Sequence, residues 1–181
     1  MDVPDLCLNI RSKLMSKLFM IYLGGSAPKA NIELHDIQFV VADKIENTYE
    51  QLKNNWFGNI QGLHLDSYKE IKGADGHKIS LHDEPQNFEK SLYFVNLGGY
   101  QKDRLNELHE FALYVAGSET EAKNRAKDCL LNNVLHKHKD NVMEVDGCLN
   151  ISAVNGKYIH LHKSEEIFNL EPDWFGYNVI G

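Results

Sequence analysis

The sequence contains few cysteines and few prolines, and it has no long apolar run. The three cysteines are Cys7, Cys129 and Cys148, and no two of them form a Cys-x-x-Cys pair. An odd, widely spaced set predicts neither a disulfide framework nor a thiolate zinc site, and it favours a reducing, cytoplasmic location. Since no apolar stretch approaches the roughly 20 residues that cross a bilayer, we expect no association with a membrane.

The signatures of common cofactor and hydrolase sites are absent as well. There is no Gly-x-Gly-x-x-Gly, no P-loop, no Gly-x-Ser-x-Gly and no His-Glu-x-x-His motif, so we expect no nucleotide cofactor. Lysine and arginine number 19 against 26 aspartates and glutamates, which gives a net charge of −7. This charge argues against nucleic acid as a partner and leaves a small ligand or a protein as the partner classes.

What the sequence does contain is an internal repeat. Residues 18–43 align without gaps on residues 92–117, at an offset of 74. Both segments have an apolar run, a Gly-Gly pair, and the tripeptide Glu-Leu-His followed by an acidic residue. At the same offset His64-x-Asp66 matches His138-x-Asp140, and a later Asp-Gly or Asn-Gly turn follows in each copy after about six residues inserted in the second. Such self-similarity indicates a duplicated structural unit.

The repeat sets the expected domain boundaries. The first repeat covers 15–86 and the second covers 87–162, with a polar, proline-containing joint between them. Residues 163–181 form a C-terminal tail with a Trp-Phe-Gly sequence, which we expect to pack its aromatic side chains on the repeats. Residues 1–14 have no counterpart in the second copy and are expected to be a flexible N-terminal extension. Because Met15 is an alternative start, translation of this extension stays an open question.

The hydrophobic pattern predicts the same elements in each copy. The apolar runs beginning at Leu18 and Leu92 predict short buried strands, with the Gly-Gly pair as turn glycines that end them. An alternating segment then predicts a second strand. Apolar residues at helical spacing predict helices over 45–57 and 119–131. Asp75-Gly76 and Asn155-Gly156 are typical of type I′ turns, which predict a closing hairpin in each copy.

The predicted fold class is therefore α+β. We expect two tandem β-β-α-β-β repeats with antiparallel sheets, each sheet having one apolar face covered by a helix. By analogy with symmetric dimers, we expect the two repeats to be related by a pseudo-twofold axis.

Several short motifs resemble the bacterial Domain of Unknown Function 1543 family. These are Tyr-Leu-Gly-Gly at 22–25, Asn-Ile-Glu-Leu-His-Asp at 31–36, Trp-Phe-Gly at 56–58, and the later His64-x-Asp66. The resemblance covers nearly all of the first copy and, more loosely, the second. It implies a compact bacterial protein that carries the domain in two copies and has no assigned activity. The second copy lacks the Trp-Phe-Gly and the proline after Gly-Gly, so a function that needs those residues would belong to the first copy alone.

The repeated Glu-x-His is the main candidate for a site. Residues two apart on a strand project to the same face, so Glu33 and His35 share a face, as do Glu107 and His109. If the two repeats pack about a pseudo-twofold axis, these four side chains could converge on a divalent metal such as Zn²⁺, Mn²⁺ or Fe²⁺. The alternative is a structural network in which each acid and imidazole satisfies neighbouring polar groups. The residues His64, Asp66, His138 and Asp140 follow the helix in each copy, where histidine and a capping aspartate are common in loops. The alternative is that they are histidine-carboxylate pairs that orient the ligands of the site.

Two functional classes follow from these patterns. The first is a soluble, non-catalytic binding or structural module. The second is a small metal-dependent enzyme that uses the two histidines and two glutamates between the repeats. The sequence does not identify a substrate, a catalytic residue or an oligomeric state.

Overall fold

A computed structural model of the chain describes residues 16–85, 89–101, 103–130 and 143–181. The first half contains β1 (Lys17–Gly25), β2 (Leu34–Ala42), a 3₁₀ turn (Ile45–Thr48), α1 (Tyr49–Asn55), β3 (His64–Glu70), β4 (Gly73–Ala74) and β5 (His77–His82). The second half contains β6 (Ser91–Gly99), β7 (Leu108–Ala116), α2 (Glu119–Cys129), β8 (Met143–Asn150), β9 (Ala153–Val154), β10 (Lys157–Lys163) and β11 (Trp174–Val179). The predicted extension at residues 1–14 and the predicted site residues His138 and Asp140 lie outside the described residues.

The strands form three antiparallel sheets. Their strand orders are β11-β3-β1-β2, β7-β6-β8 and β4-β5-β10-β9. The sheets are antiparallel and the helices are few, so the predicted α+β class is confirmed. No helix in the described ranges has the length and apolar character needed to cross a membrane.

The first two strands of each half pair in the same register. Lys17 pairs with Ala42 at one end of β1, and Gly25 pairs with Leu34 at the other. In the second half every pair between β6 and β7 lies 74 residues later, from Ser91 with Ala116 to Gly99 with Leu108. The offset found in the sequence is therefore also the offset of the backbone pairing.

Both halves have a β-bulge at the same place. In the first, Tyr22 pairs with Ser67 and Leu23 pairs with Leu65, which leaves Asp66 as the extra residue. In the second, the register shifts between Asn96 and Leu97, opposite Gly147 and Val145. A bulge turns the side chains near it relative to a regular strand, and it often lies beside a functional site.

The apolar residues of β1 alternate between two cores. Phe19, Ile21 and Leu23 pack under α1, together with Leu52 of the helix and Trp56, which directly follows it. In the second half, an equivalent core lies under α2. The other face of β1, with its period of two, contributes to a central core built from all three sheets. The buried members of the central core are Leu18, Met20, Ile71, Ala74, Leu92, Leu113, Val115, Ile151, Ile159 and Leu161.

The central sheet joins the two halves. Strand β5 pairs with β10, and Ser80 lies opposite His160 at the middle of this pairing. The neighbouring pairs are Ile79 with Leu161 and Leu81 with Ile159. A residue of β5 and the residue 80 positions later in β10 are equivalent. The pair of Ile79 with Leu161 is therefore equivalent to the pair of Leu81 with Ile159, and the pairing is symmetric about Ser80 and His160.

The hairpin turns lie at Asp75-Gly76 and Asn155-Gly156, as predicted. All four residues have positive φ, between 50° and 72°, which is the backbone conformation of a type I′ turn. Each turn also forms a hydrogen bond with a strand of the other half. The backbone N–H of Val115 donates to Asp75 Oδ2 (2.9 Å), and the backbone N–H of Val41 donates to Asn155 Oδ1 (2.8 Å).

Arg125 of α2 strengthens the contact at Asp75. Its Nη1 and Nη2 each donate to one carboxylate oxygen of Asp75 at 2.7 Å, and Nη1 also donates to the carbonyl oxygen of Val115 (3.2 Å). Burial raises the pKa of the Asp75 carboxyl, but the hydrogen bonds from Arg125 and Val115 outweigh burial and lower that pKa below its ordinary value of 3.8. This ion pair is therefore maintained at neutral pH.

We predict that Asp75→Asn lowers the free energy of unfolding at pH 7 by about 1–2 kcal/mol, because a partly exposed bidentate ion pair is lost. Chemical denaturation would measure this. The matched control is Asp83→Asn, which removes an exposed partner of Lys157 and should change stability very little. Equal effects from the two variants would contradict a specific role for Asp75.

The same contact predicts a pH dependence. A carboxyl whose pKa is lowered on folding contributes stability above its unfolded-state pKa, and that contribution is lost as the pH falls through the lowered folded-state value. We therefore expect the stability difference between the natural protein and Asp75→Asn to be constant near neutrality and to disappear in acid below the ordinary aspartate range. A difference that grows on acidification would contradict this.

Candidate functional site

The candidate site is built around a glycine in the middle of a sheet. On either side of Gly24 in β1 lie His35 of β2 and His64 of β3, each directly paired with it. Residues that are opposite each other in antiparallel strands project to the same face. The two imidazoles therefore flank a position that has no side chain.

Gly24 and Gly25 are the last two residues of β1, so the pair does end the strand as predicted. Neither glycine has a positive φ, however, so their predicted role as turn glycines is wrong. They are needed for space. A Cβ atom at Gly24 would lie 2.5 Å from His64 Nε2 and 2.9 Å from Asp66 Oδ2, and a Cβ atom at Gly25 would lie 2.9 Å from the Trp56 ring. Bulky neighbours on the adjacent elements fill the volume that the glycines leave.

Two carboxylates complete the cluster, which consists of Glu33, His35, His64 and Asp66. Glu33 precedes β2 by one residue, and Asp66 is the extra residue of the bulge. His35 Nε2 lies 3.6 Å from Glu33 Oε2 and 3.3 Å from Asp66 Oδ2. His64 Nε2 lies 3.2 Å from Glu33 Oε1 and 3.4 Å from Asp66 Oδ1. Each imidazole thus lies next to both carboxylates.

Exposure increases steadily across the cluster. The exposed fraction of the side chain is 2% for His64, 26% for Asp66, 37% for His35 and 48% for Glu33. One end of the cluster is therefore fixed in the protein, while the other end opens to solvent. An ion or small ligand could enter from the side of Glu33 and His35.

The buried imidazole has a defined tautomer. Its Nδ1 lies 2.8 Å from the carbonyl oxygen of Gly62. Because a carbonyl oxygen only accepts hydrogen bonds, Nδ1 of His64 carries the proton. In the neutral ring, Nε2 then presents a lone pair to Glu33 and Asp66. Although the distances to these carboxylates are those of ion pairs, the directions do not make hydrogen bonds, and both His64 Nε2 and Asp66 Oδ2 are buried without one.

Two tyrosine rings border the cluster. Tyr22 stacks on His35 with ring centroids 5.1 Å apart, and Tyr177 of the C-terminal strand lies 4.0 Å from the ring of His64. Burial, followed by the negative charges of Asp66 and Glu33, raises the pKa of Tyr22. This is the direction expected beside a cluster with excess negative charge. The C-terminal tail therefore contributes directly to the surroundings of the site, through β11 and its pairing with β3.

The second half has related but different residues. Gly98 of β6 pairs with His109 and with Glu144, so a glutamate takes the register position of His64. His109 Nε2 lies 3.7 Å from Glu107 Oε2. His64 and Glu144 are therefore equivalent in strand register at an offset of 80 residues, whereas the match of His64 with His138 at an offset of 74 falls on a residue outside the described ranges.

The structure groups the predicted site residues by repeat. Glu33 and His35 contact His64 and Asp66 of their own sheet, and these latter two residues were expected to lie in loops or to orient the ligands of the site. Glu107 and His109 likewise contact each other within the second half, and the centre between the repeats that would join them to Glu33 and His35 stays a prediction. The sequence pattern did not reveal the pairing of Gly24 with both histidines, because that pairing depends on contacts between segments distant in the chain.

A further group of imidazoles lies on the outer face of the β5–β10 pair and was also missed. Ser80 Oγ lies 2.9 Å from His82 Nε2 and 2.8 Å from His162 Nε2. The rings of His82 and His160 stack at 3.8 Å. These residues alternate with the buried apolar residues of the same strands, so the period of two could have grouped them on one face.

Comparison with known proteins supports the duplication. The model of the family described as Domain of Unknown Function (DUF1543) matches residues 30–81 and 104–153. A solved crystal structure, that of a protein Il1583 from Idiomarina loihiensis, is 38% identical in sequence, with a TM-score of 0.72. The match covers 92% of this chain and 98% of that one. No curated protein matches the chain.

We predict that Gly24→Ala disrupts the cluster, because the new methyl group would overlap buried atoms of His64 and Asp66. The expected loss of stability is about 1–3 kcal/mol, which is typical of overpacking. Thermal denaturation and the NMR signals of the His64 ring would measure the effect. The matched control is Gly147→Ala in β8, where the new Cβ would have no atom within 4 Å. Unchanged His64 signals in Gly24→Ala would contradict the role assigned to the glycine.

Proposed function

The chain belongs to the DUF1543 family, and because membership assigns no activity, we propose a function from the geometry. We propose that the protein is a non-catalytic binding module whose first repeat binds a divalent transition-metal ion. The ligands would be Glu33, His35, His64 and Asp66. The observation that carries this proposal is the buried Nε2 of His64, which faces two carboxylates and makes no hydrogen bond.

The cluster needs a positive charge at its centre. Carboxylate oxygens of Glu33 and Asp66 lie 3.2 and 3.4 Å from the buried Nε2 of His64, and the negative charges and the nitrogen lone pair repel each other. The described contacts around His64 Nε2 include no N–H or O–H donor that would offset this repulsion. A cation at the centre of the cluster would satisfy all of these groups together.

The spacing of the cluster suits a metal ion. In a tetrahedral site with bonds of about 2.0–2.1 Å, neighbouring ligand atoms are about 3.3 Å apart. The four distances from imidazole nitrogen to carboxylate oxygen are 3.2–3.6 Å. Mixed nitrogen and oxygen ligands suit zinc, manganese or iron. The Gly62 carbonyl that orients His64 is the kind of partner that ligating histidines use on their other nitrogen.

Binding would require a small rearrangement of the side chains. Across the described ranges, no three such side chains are already arranged as a complete metal site. His64 and Asp66 are the less exposed pair, whereas Glu33 and His35 are exposed enough to change rotamer. We therefore propose that the buried pair receives the ion first and that the exposed pair closes around it.

The second candidate is the structural network, in which a proton takes the place of the metal. A proton on Nε2 of His64 would give a buried cation between two carboxylates, and the cluster would then only stabilise the sheet. The ion-pair distances of 3.2 and 3.4 Å favour this candidate. It differs from the metal site in its prediction for purified protein, which would contain no bound metal.

The architecture of the two repeats supports a single module. We propose that the β-β-α-β-β repeats, at 15–86 and 87–162, are related by a pseudo-twofold axis that passes between Ser80 and His160. The symmetric register of β5 and β10 supports this. The tail at 163–181 then packs on the first repeat through Trp174 and Tyr177. A bacterial, cytoplasmic location is consistent with the free thiols of Cys129 and Cys148.

We predict that the purified chain binds about one equivalent of Zn²⁺ or Mn²⁺, and that His35→Asn weakens this binding at least about tenfold. His35 is suitable because it is partly exposed, so its removal should not unfold the protein. Isothermal titration with each metal, together with elemental analysis, would measure binding. Substitution with Co²⁺ would report the nitrogen and oxygen ligands through its visible spectrum.

The matched control is His109→Asn, which changes the equivalent histidine of the second repeat. The proposed site predicts unchanged metal binding in this variant, whereas a centre shared between the repeats predicts an equal loss. Metal-free protein that also fails to bind either ion, with His35→Asn affecting only thermal stability, would overturn the metal proposal and leave the structural network.

A further inference from the structure

A pocket of about 350 Å³ lies beside β2 in the first repeat, away from the cluster of Glu33, His35, His64 and Asp66. It is lined by residues of β2 and α1, and by the segment that runs from the end of β8 through β9 to the turn residue Asn155. Its polar lining is rich in carboxamides, from Gln38, Gln51, Asn55 and Asn155, and its apolar lining includes Phe39.

The second repeat shows why this space is open. The two helices bury equivalent residues at the offset of 74: Thr48, Leu52 and Trp56 in the first repeat, and Ala122, Ala126 and Leu130 in the second. Gln51 is therefore the counterpart of Arg125. The turn residue Asn155 is likewise the counterpart of Asp75, at the offset of 80. In the second repeat the Arg125 side chain spans the corresponding space and bonds both Asp75 and the backbone of Val115.

Compared with the second repeat, the first repeat lacks both the positive charge of the arginine and the negative charge of the aspartate. With glutamine in place of arginine and asparagine in place of aspartate, the first repeat has neither the guanidinium group nor the carboxylate that would hold one. Val41 still donates its backbone N–H to Asn155, so the hairpin keeps its position while the space beside it stays open. The carboxylate of Asp36 also borders the pocket, but its Oδ1 accepts a hydrogen bond from the backbone N–H of Ile37 (2.8 Å).

Gln38 gives an independent indication of a ligand. Its side chain is 7% exposed and lines the pocket, yet neither its carboxamide oxygen nor its nitrogen has a hydrogen-bond partner within the described protein. A buried unpaired amide is costly. The second repeat has an alanine, Ala112, at the equivalent position. The unpaired donor and acceptor of Gln38 thus occur in the repeat that has the open pocket.

We propose that this pocket binds an uncharged planar ligand that presents a hydrogen-bond donor and acceptor side by side, such as a urea, a carboxamide or the lactam edge of a nucleobase. A neutral planar group would occupy the space that the guanidinium fills in the second repeat. The carboxamide of Gln38 is buried in this conformation, so it would pair with the ligand after a change of rotamer. A cation in the position of the guanidinium would lack the bidentate carboxylate partner that Asp75 supplies to Arg125, because the turn residue here is Asn155. This binding site goes beyond the proposed metal site and does not depend on it.

Urea and the guanidinium ion are matched probes because they have nearly the same shape and differ in charge. We would titrate the protein with urea, uracil and guanidinium chloride, each well below denaturing concentrations, and follow the side-chain amide NMR signals of Gln38 and Gln51. The proposal predicts saturable shifts with urea and with uracil, and no saturable shift with guanidinium. Tighter binding of guanidinium, or saturation by none of the three probes, would overturn it.

A double variant, Gln51→Arg with Asn155→Asp, rebuilds the ion pair of the second repeat inside the pocket. It should fill the space, abolish the saturable shifts with urea, and raise the melting temperature. The control is Asn54→Arg, which adds the same side chain on the same helix at an exposed position that does not line the pocket.

Gln38→Leu provides a second test in case the double variant does not fold. It keeps a side chain of similar size and removes the unpaired carboxamide, so stability should be maintained or increased while binding of urea and uracil is lost. Undiminished binding of these probes in a folded Gln38→Leu or a folded double variant would refute the assignment of the pocket.

Discussion

The pairing of β5 with β10 is the interaction on which the rest of the architecture depends. Each repeat contributes its final hairpin to a shared sheet, and each turn bonds the edge strand of the other repeat, through Asp75 in one direction and Asn155 in the other. The edges of β2 and β7 are thereby partly covered, and a central core forms between three sheets. Because that core takes residues from both halves, neither repeat can bury its inner face alone.

The two copies of the repeat have equivalent positions, and different residues at a few of these positions produce different chemistry. Where the first repeat has His64 beside a central glycine, the second has Glu144 in the same register. Where the second repeat fills a space with Arg125, the first has Gln51 and a pocket. The first repeat therefore contains both the cluster around His64 and the pocket beside Gln51. The C-terminal strand places Tyr177 beside His64.

Much of the local structure followed from patterns in the sequence. The alternation after Glu33 predicts a strand with His35 on a defined face, and the Asp-Gly and Asn-Gly pairs predict the two hairpin turns, because only residues that tolerate positive φ fit a type I′ turn. The family was identified correctly from short motifs. The glycine pair was misinterpreted because a glycine can serve either a turn or a close contact, and only the neighbours of Gly24 and Gly25 distinguish the two.

The sequence by itself determined the repeat, the α+β class and the two hairpin turns, since the strand and turn patterns depend on residues a few positions apart. Only the tertiary structure decided that His64 and Asp66 complete the same cluster. That result depends on the register of β3 against β1 and on the extra residue at the bulge, which a comparison of repeats along the chain does not reveal. Strand register is fixed by packing between distant segments, and a shift of a single residue would turn these side chains to the opposite face.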